Sequence, residues 1–123
     1  MRVLILSAIL VGCVEHQLTA APLRPDYLPG LGELFTAEVS GRTPFRVSGG
    51  EIVCGPDAAI GYRVTAAPIF ALNGAGERLA QTAPFNRAWA PIEHGLRPDA
   101  TPTEVQAMRA LGASACRPLD SGV

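Results

Sequence analysis

The sequence predicts a small α+β domain: an antiparallel sheet of about four to six short strands with one C-terminal helix, held together by a disulfide. Its 123 residues, 48% of them hydrophobic, leave room for a single modest core. The 13 glycines and 11 prolines favour short strands joined by turns over long helices. Helical spacing of apolar side chains occurs in the C-terminal part alone.

Alternation of apolar and polar side chains begins near Glu33, where we expect the domain (residues 33–123) to start. The expected strand segments are 33–39, 45–47, 51–54, 60–64, 69–72, 77–81 and 87–92. The last of these is expected at an edge of the sheet, because Pro91 has no N–H to donate to a neighbouring strand.

Glycine-containing turns are expected to join four of these segments into two hairpins. Gly49 and Gly50 lie between the second and third segments, and residues 73–76 lie between the fifth and sixth. Glycine supplies the positive φ that tight hairpin turns require. In the fourth segment the alternation places Arg63 outward and three apolar side chains inward, namely Ile60, Tyr62 and Val64.

The C-terminal helix has a clear start signal. Thr101 is predicted at the N-cap, Pro102 at the first helical position and Glu104 at the third, which together form a capping box. The apolar side chains that follow share one face, at Val105, Met108 and Leu111. Gly112 is predicted to end the helix, and residues 117–123 are predicted to form a frayed tail.

Residues 1–12 have the layout of a secretory signal peptide: Arg2, then an apolar run from Val3 to Val11 interrupted by Ser7. The run is about nine residues long, whereas a membrane-spanning helix needs roughly 17 to 25. Three other interpretations stay open. They are a buried first strand, cleavage by ordinary signal peptidase near residues 18–21, and an uncleaved signal anchor.

The end of this segment, Leu10-Val11-Gly12-Cys13, resembles the lipobox of bacterial lipoproteins at all four positions. The resemblance implies lipid transfer to the Cys13 thiol, cleavage after residue 12 and acylation of the new amino terminus. Each CH₂ of an acyl chain contributes about 0.8 kcal/mol of binding free energy when it is buried in the bilayer, so the chains would anchor the protein to a membrane. The residue that follows the cysteine is Val14. An Asp at this position would imply retention at the inner membrane, so Val14 favours the outer membrane, on its periplasmic side.

Residues 13–32 contain prolines at positions 22, 25 and 29 and show neither helical nor strand periodicity. One interpretation is an extended tether that would hold the domain tens of ångströms from the lipid, at about 3.1 Å per residue. The other is an arm packed on the domain through apolar side chains, namely Leu23, Tyr27, Leu28 and Leu31.

The chain has three cysteines, at positions 13, 54 and 116. If Cys13 carries lipid, Cys54 and Cys116 can pair, and exported proteins occupy oxidising compartments where such disulfides persist. The closed loop would be worth roughly 4 kcal/mol in the chain-entropy model. Alternatively, both are unpaired core thiols, or one of them is a nucleophile.

The sequence offers little for catalysis, cofactors or nucleic acid. Its 10 basic and 11 acidic residues nearly cancel, so no basic surface for DNA or RNA is expected. The histidines are His16 and His94, and no nucleophile motif accompanies them. Glu93, His94 and Asp99 alone are too few convergent ligands to predict a metal site. We therefore expect neither enzyme activity nor a bound cofactor or metal.

A partner-binding surface is a hypothesis for the loop of residues 83–98, where Phe85, Arg87 and Trp89 are the candidate residues. The competing interpretation places Trp89, Phe85 and Tyr62 in the core. Together these features predict a non-catalytic envelope lipoprotein that is a binding or accessory component of a protein complex. The alternative is an inhibitor of an envelope-active hydrolase, with a loop near Trp89 inserted into the active site.

Overall fold

A computed structural model describes residues 18–30 and 32–121 of the chain. The predicted signal peptide and Cys13 lie outside these residues. The strands are β1 (Thr19–Ala20), β2 (Arg24–Leu28), β3 (Gly32–Ser40), β4 (Glu51–Cys54), β5 (Ile60–Arg63), β6 (Ile69–Ala71) and β7 (Trp89–Ala90). The α-helices are α1 (Gly74–Leu79) and α2 (Pro102–Ser121), and short 3₁₀ turns cover Pro56–Ala58, Phe85–Arg87 and Ile92–His94.

The seven strands of the described chain form one sheet. Strands β1 and β2 both pair with β3, and β4, β5, β6 and β7 follow in that order across the sheet. All neighbours are antiparallel except β6 and β7, which are parallel, and β7 lies at the edge as expected. The predicted α+β class, with a mostly antiparallel sheet and a long C-terminal helix, is confirmed.

The segment before β3 is an arm packed on the domain and not a free tether over residues 18–30. Arg24 is paired with Thr36 and Leu28 with Gly32, so β2 and β3 form a hairpin. Leu28 is buried, and Leu23 packs against the core. The folded domain therefore extends at least to residue 18, beyond the expected boundary at residue 33.

The two hairpins predicted around glycine turns are wrong. Strand β4 pairs with β3, and residues 41–50 form the connection between them. In that connection Phe45 makes a single bridge to Leu96. Gly50 is needed for packing, because a Cβ there would lie 2.3 Å from the Arg63 carbonyl oxygen and 2.6 Å from the Tyr62 ring.

Residues 74–79, expected as a turn and strand, form helix α1. Its N-cap is Asn73, whose Oδ1 accepts a hydrogen bond from the Gly76 N–H at 2.8 Å. The same side chain accepts from the Ile60 N–H at 3.1 Å and donates to the Ala58 carbonyl at 2.9 Å. These three hydrogen bonds of Asn73 therefore favour a helix start here over the turn that the local sequence indicates.

The capping box of α2 is confirmed: the Glu104 N–H donates to Thr101 Oγ1 at 3.1 Å, and the Thr101 N–H donates to the Glu104 carboxylate at 3.0 Å. Both predictions for its C-terminal end are wrong, because the helix runs through Gly112 to Ser121. A Cβ on Gly112 would lie 2.9 Å from Ile60 Cγ2. Gly112 therefore allows the helix to approach the sheet closely and does not end it.

The two faces of the sheet bury two separate apolar clusters. The first lies between the sheet and α2 and contains Ile52, Tyr62, Leu72 and Met108, among others. The predicted disulfide between Cys54 and Cys116 is confirmed and crosses this cluster, with a Cα–Cα distance of 5.7 Å. The second cluster centres on Trp89, with Leu34, Val53, Ile69 and Leu79. No helix in the described part of the chain has the length and apolarity to cross a membrane.

Candidate functional site

An apolar cleft of about 290 Å³ opens where the ends of β5 and β6 meet two loops. Three connections form its walls: residues 45–47 after β3, residues 64–68 between β5 and β6, and the turn at residues 94 and 95. The lining side chains are mainly aromatic and aliphatic, and they include Phe45, Val47, Tyr62, Val64, Pro68 and Phe70.

Three stacked aromatic rings line the cleft. The Phe45 ring lies 4.3 Å from the Tyr62 ring and 5.8 Å from the Phe70 ring, in both cases nearly parallel. Tyr62 and Phe70 face each other across β5 and β6. Tyr62 is fully buried and Phe45 nearly so, which gives the cleft a rigid aromatic base.

The Tyr62 hydroxyl fixes the first wall. It donates a hydrogen bond to the Val47 carbonyl at 3.1 Å and accepts one from the Gly50 N–H at 3.0 Å. A buried phenol with both roles satisfied holds this loop at a set distance from the sheet. The backbone beside Val47 is therefore positioned by a core residue.

Backbone hydrogen bonds join the first wall to the turn at residues 94 and 95. The Arg46 N–H donates to the Gly95 carbonyl at 2.8 Å, and the Arg97 N–H donates to the Pro44 carbonyl at 2.8 Å. A Cβ on Gly95 would lie only 2.7 Å from the Phe70 ring. Glycine at this position therefore allows the turn to rest directly on that ring.

The third wall is held by Arg63, which the alternation wrongly placed outward. Its side chain is only 6% exposed and makes ion pairs with Asp26 on β2 and Glu51 on β4. Its Nη1 also donates to the Ala66 carbonyl at 3.5 Å, within the 64–68 connection. Because helix α1 and Trp89 cover the opposite side of the sheet from α2, both faces are buried, and alternation alone does not identify a solvent face.

The carboxylate of Asp26 is stabilised in its charged form. The Tyr27 backbone N–H donates to it at 2.7 Å, and the Arg63 guanidinium forms a second hydrogen bond. These two interactions, in that order of importance, hold the pKa of the Asp26 carboxyl below its usual value. The ion pair therefore links the N-terminal arm to the residue that supports the third wall.

The rim of the cleft combines exposed aliphatic side chains with nitrogen-bearing ones. Val47 is 56% exposed and Val64 is 40% exposed, on two different walls of the cleft. Arg46 and His94 complete the lining, and no acidic side chain takes part in it. The site is therefore suited to an apolar group with a polar or negatively charged end.

The residues considered for chemistry do not converge in the structure. His94 is exposed in the lining of the cleft, and the Thr65 hydroxyl of the same lining donates to the Ala67 carbonyl at 2.7 Å. Asp99 pairs with Arg97 at 2.8 Å. Across residues 18–30 and 32–121, no group of three or more His, Cys, Asp and Glu side chains could hold a metal ion.

The three residues proposed to bind a partner differ in how deeply they are buried. Trp89 is 3% exposed, Phe85 is half-buried against the same cluster, and Arg87 is exposed. Cβ atoms built on three glycines would lie 2.6 to 3.2 Å from the indole, namely those at positions 55, 61 and 76. The interpretation that places Trp89 in the core is confirmed.

Comparisons of the chain with protein-family models, with curated proteins and with solved structures give no match. The features of the chain that bear on its function are therefore the cleft and the N-terminal motif. Sequence reasoning missed the cleft, because its aromatic rings come from three segments that only the tertiary fold brings together. The sequence signal nearest to it is the cluster Phe45-Arg46-Val47, interpreted above as a strand.

Proposed function

We propose that this protein is a non-catalytic lipoprotein of the bacterial cell envelope that binds a protein partner through the aromatic cleft. The observation that carries the proposal is the pair of exposed valines, Val47 and Val64, on a cleft with a rigid aromatic base. Large aliphatic side chains exposed beside a preformed cavity are typical of binding sites. The role is that of a binding or accessory component of an envelope complex.

The walls of the cleft support binding because hydrogen bonds already hold them in place before a partner binds. Tyr62 positions one wall by hydrogen bonds, and Arg63 supports another through the Ala66 carbonyl. A preformed site avoids the entropy cost of ordering loops when a partner binds. Covering one exposed valine contributes about 1 kcal/mol, from the usual 25 cal/mol per Å² of apolar surface.

The N-terminal motif supports attachment to a membrane at Cys13, on the periplasmic side and with the outer membrane favoured. The first strand begins at Thr19, so five residues separate the anchored cysteine from it. Five residues reach at most about 18 Å when fully extended. A lipidated Cys13 would therefore hold the domain close to the membrane surface, where its partner is expected.

The anchor is tested by the intact, non-reduced mass of the protein recovered from the membrane fraction. We expect the mass of residues 13–123 plus acyl groups, less two hydrogens for the disulfide. A Cys13→Ser variant is the control and is expected to lose the acyl mass and the membrane association. An unlipidated full-length mass would contradict the proposal and would favour a buried first strand.

The cleft is tested by photo-cross-linking in intact cells, with the cross-linking side chain placed at position 47 or 64. We expect both positions to yield the same discrete product with a membrane or periplasmic protein. Position 27 is the matched control, because Tyr27 is 61% exposed and lies on the edge strand β2. Equal products from all three positions, or none from positions 47 and 64, would contradict partner binding at the cleft.

A further inference from the structure

Arg46 is an exposed arginine in the lining of the cleft. Four other arginines form ion pairs with carboxylates, namely Arg24, Arg42, Arg63 and Arg97. Among the described residues Arg46 has no acidic partner, and its Nε donates to the Leu96 carbonyl at 3.2 Å. The terminal amino groups of its guanidinium therefore have no carboxylate partner among the described residues, and the residue lines an apolar cleft.

The orientation of Arg46 is constrained at two points. Its backbone N–H is bonded to the Gly95 carbonyl, and its Nε is bonded to the next carbonyl along that turn. The guanidinium is planar and matches a carboxylate with two parallel hydrogen bonds. His94 lies in the same lining and adds a second nitrogen donor to the mouth.

The size of the cleft restricts what can occupy it. Its volume of about 290 Å³ lies at the lower limit of ligand pockets, which begin near about 300 Å³. Aromatic and aliphatic walls with Arg46 and His94 in the same lining fit one apolar side chain next to one carboxylate. A peptide that ends at this point provides both groups on one residue and needs only one path out of the mouth.

We infer that the cleft binds the carboxyl-terminal residue of a partner protein, with an apolar side chain against Val64 and Phe70 and the carboxylate on Arg46 and His94. This inference rests on the proposed function, in which the partner is a protein. It adds the chemical group that is recognised and the residues that recognise it. Capture of a chain terminus through its carboxylate is a recurring mode of peptide recognition.

The test is a titration of the protein with short peptides that end in phenylalanine, followed by NMR of the Val47 and Val64 methyl groups. The peptide with a free carboxyl terminus is expected to bind about tenfold more tightly than the same peptide with a terminal amide, because a charge-assisted hydrogen bond is lost. In Arg46→Gln the difference between the two peptides is expected to become smaller, because only His94 remains to meet the carboxylate. Arg87→Gln, a change to an exposed arginine that does not line the cleft, is expected to retain the difference.

Three results would overturn the inference: equal affinity of acid and amide for the unaltered protein, shifts located away from the two valines, or no binding of either peptide. N-acetyl-phenylalanine forms a separate arm of the test. Because the inferred site holds only the terminal residue, this compound is expected to bind about as tightly as the peptide acid, and binding more than about tenfold weaker would overturn a site confined to that residue. Persistent cross-links at position 47 together with any of these results would leave the proposed function standing and remove the inference alone.

Discussion

Replacing Gly112 with alanine tests whether close approach of α2 to the sheet determines this position. In an exposed helix, Gly→Ala stabilises by about 1 kcal/mol, because alanine has less backbone entropy to lose. Here the new Cβ would lie 2.9 Å from Ile60 Cγ2 and 3.2 Å from Leu72 Cδ1. Overpacking of this kind costs about 1 to 3 kcal/mol, so the two effects oppose each other.

The overpacking is expected to be the larger effect, because neither side of the contact can move freely. Ile60 is β-branched and lies in a strand, where its side-chain rotamer is restricted. It is also in register with Cys54, whose disulfide holds α2 at Cys116, four residues after Gly112. We therefore expect Gly112→Ala to lower the free energy of unfolding by about 1 kcal/mol.

The assay is denaturant unfolding of the oxidised protein, with Gly74→Ala as the control. Gly74 is also helical, but its nearest contact for a new Cβ is Arg78 Nη1 at 3.7 Å, so its replacement is expected to leave stability unchanged or slightly raised. A gain in stability for Gly112→Ala would refute the packing argument. In a background without the disulfide, the loss is expected to shrink, since α2 can then move away from the sheet.

Three further predictions concern the disulfide, the arm and the buried indole. Changing Cys54 and Cys116 together to serine is expected to reduce the free energy of unfolding by roughly 4 kcal/mol, because they close a loop with a sequence separation of 62; a change under about 1 kcal/mol in denaturant unfolding would contradict this. The lowered pKa of Asp26 means that its contribution is present above the usual carboxyl value of 3.8 and is lost as the pH falls through its folded pKa. Asp26→Asn is therefore expected to make the free energy of unfolding depend less on acid pH. The change is expected to be less than about 1 kcal/mol, because the Asp26 side chain is 44% exposed. Unfolding curves at several pH values measure it, and the same pH dependence in both proteins would contradict the reasoning. Trp89→Ala is expected to cost about 3 to 5 kcal/mol and Arg87→Ala less than about 0.5 kcal/mol, and similar thermal midpoints for the two variants would argue against a core role for the indole.

The features that local sequence predicted correctly depend on residues close together in the chain. The capping box needs Thr101 and Glu104 on one helical turn, and its hydrogen bonds form as expected. Strand β3 follows from the alternation of residues 33–39, extended by one residue at each end. The pairing of Cys54 with Cys116 followed from counting cysteines, because an exported chain with one lipidated cysteine leaves two to pair.

The features that it predicted wrongly depend on partners that are distant in the chain. Asn73 and its glycines indicated a turn, yet hydrogen bonds from Asn73 to residues 58 and 60 place it at a helix start. Arg63 was expected outside, yet Asp26 and Glu51 neutralise it inside. In each case the local pattern was compatible with two structures, and contacts across the sheet selected one.

The candidate site shows the same division. The sequence by itself determined the α+β class, the helix start and the cysteine pair, because each is encoded within a few residues or by a simple count. Only the tertiary structure brought Phe45, Tyr62 and Phe70 together as stacked rings and left Val47 and Val64 exposed beside them. The physical reason is that burial is a property of the whole packed sheet: the same aromatic residue is core or surface according to what the other strands and helices cover.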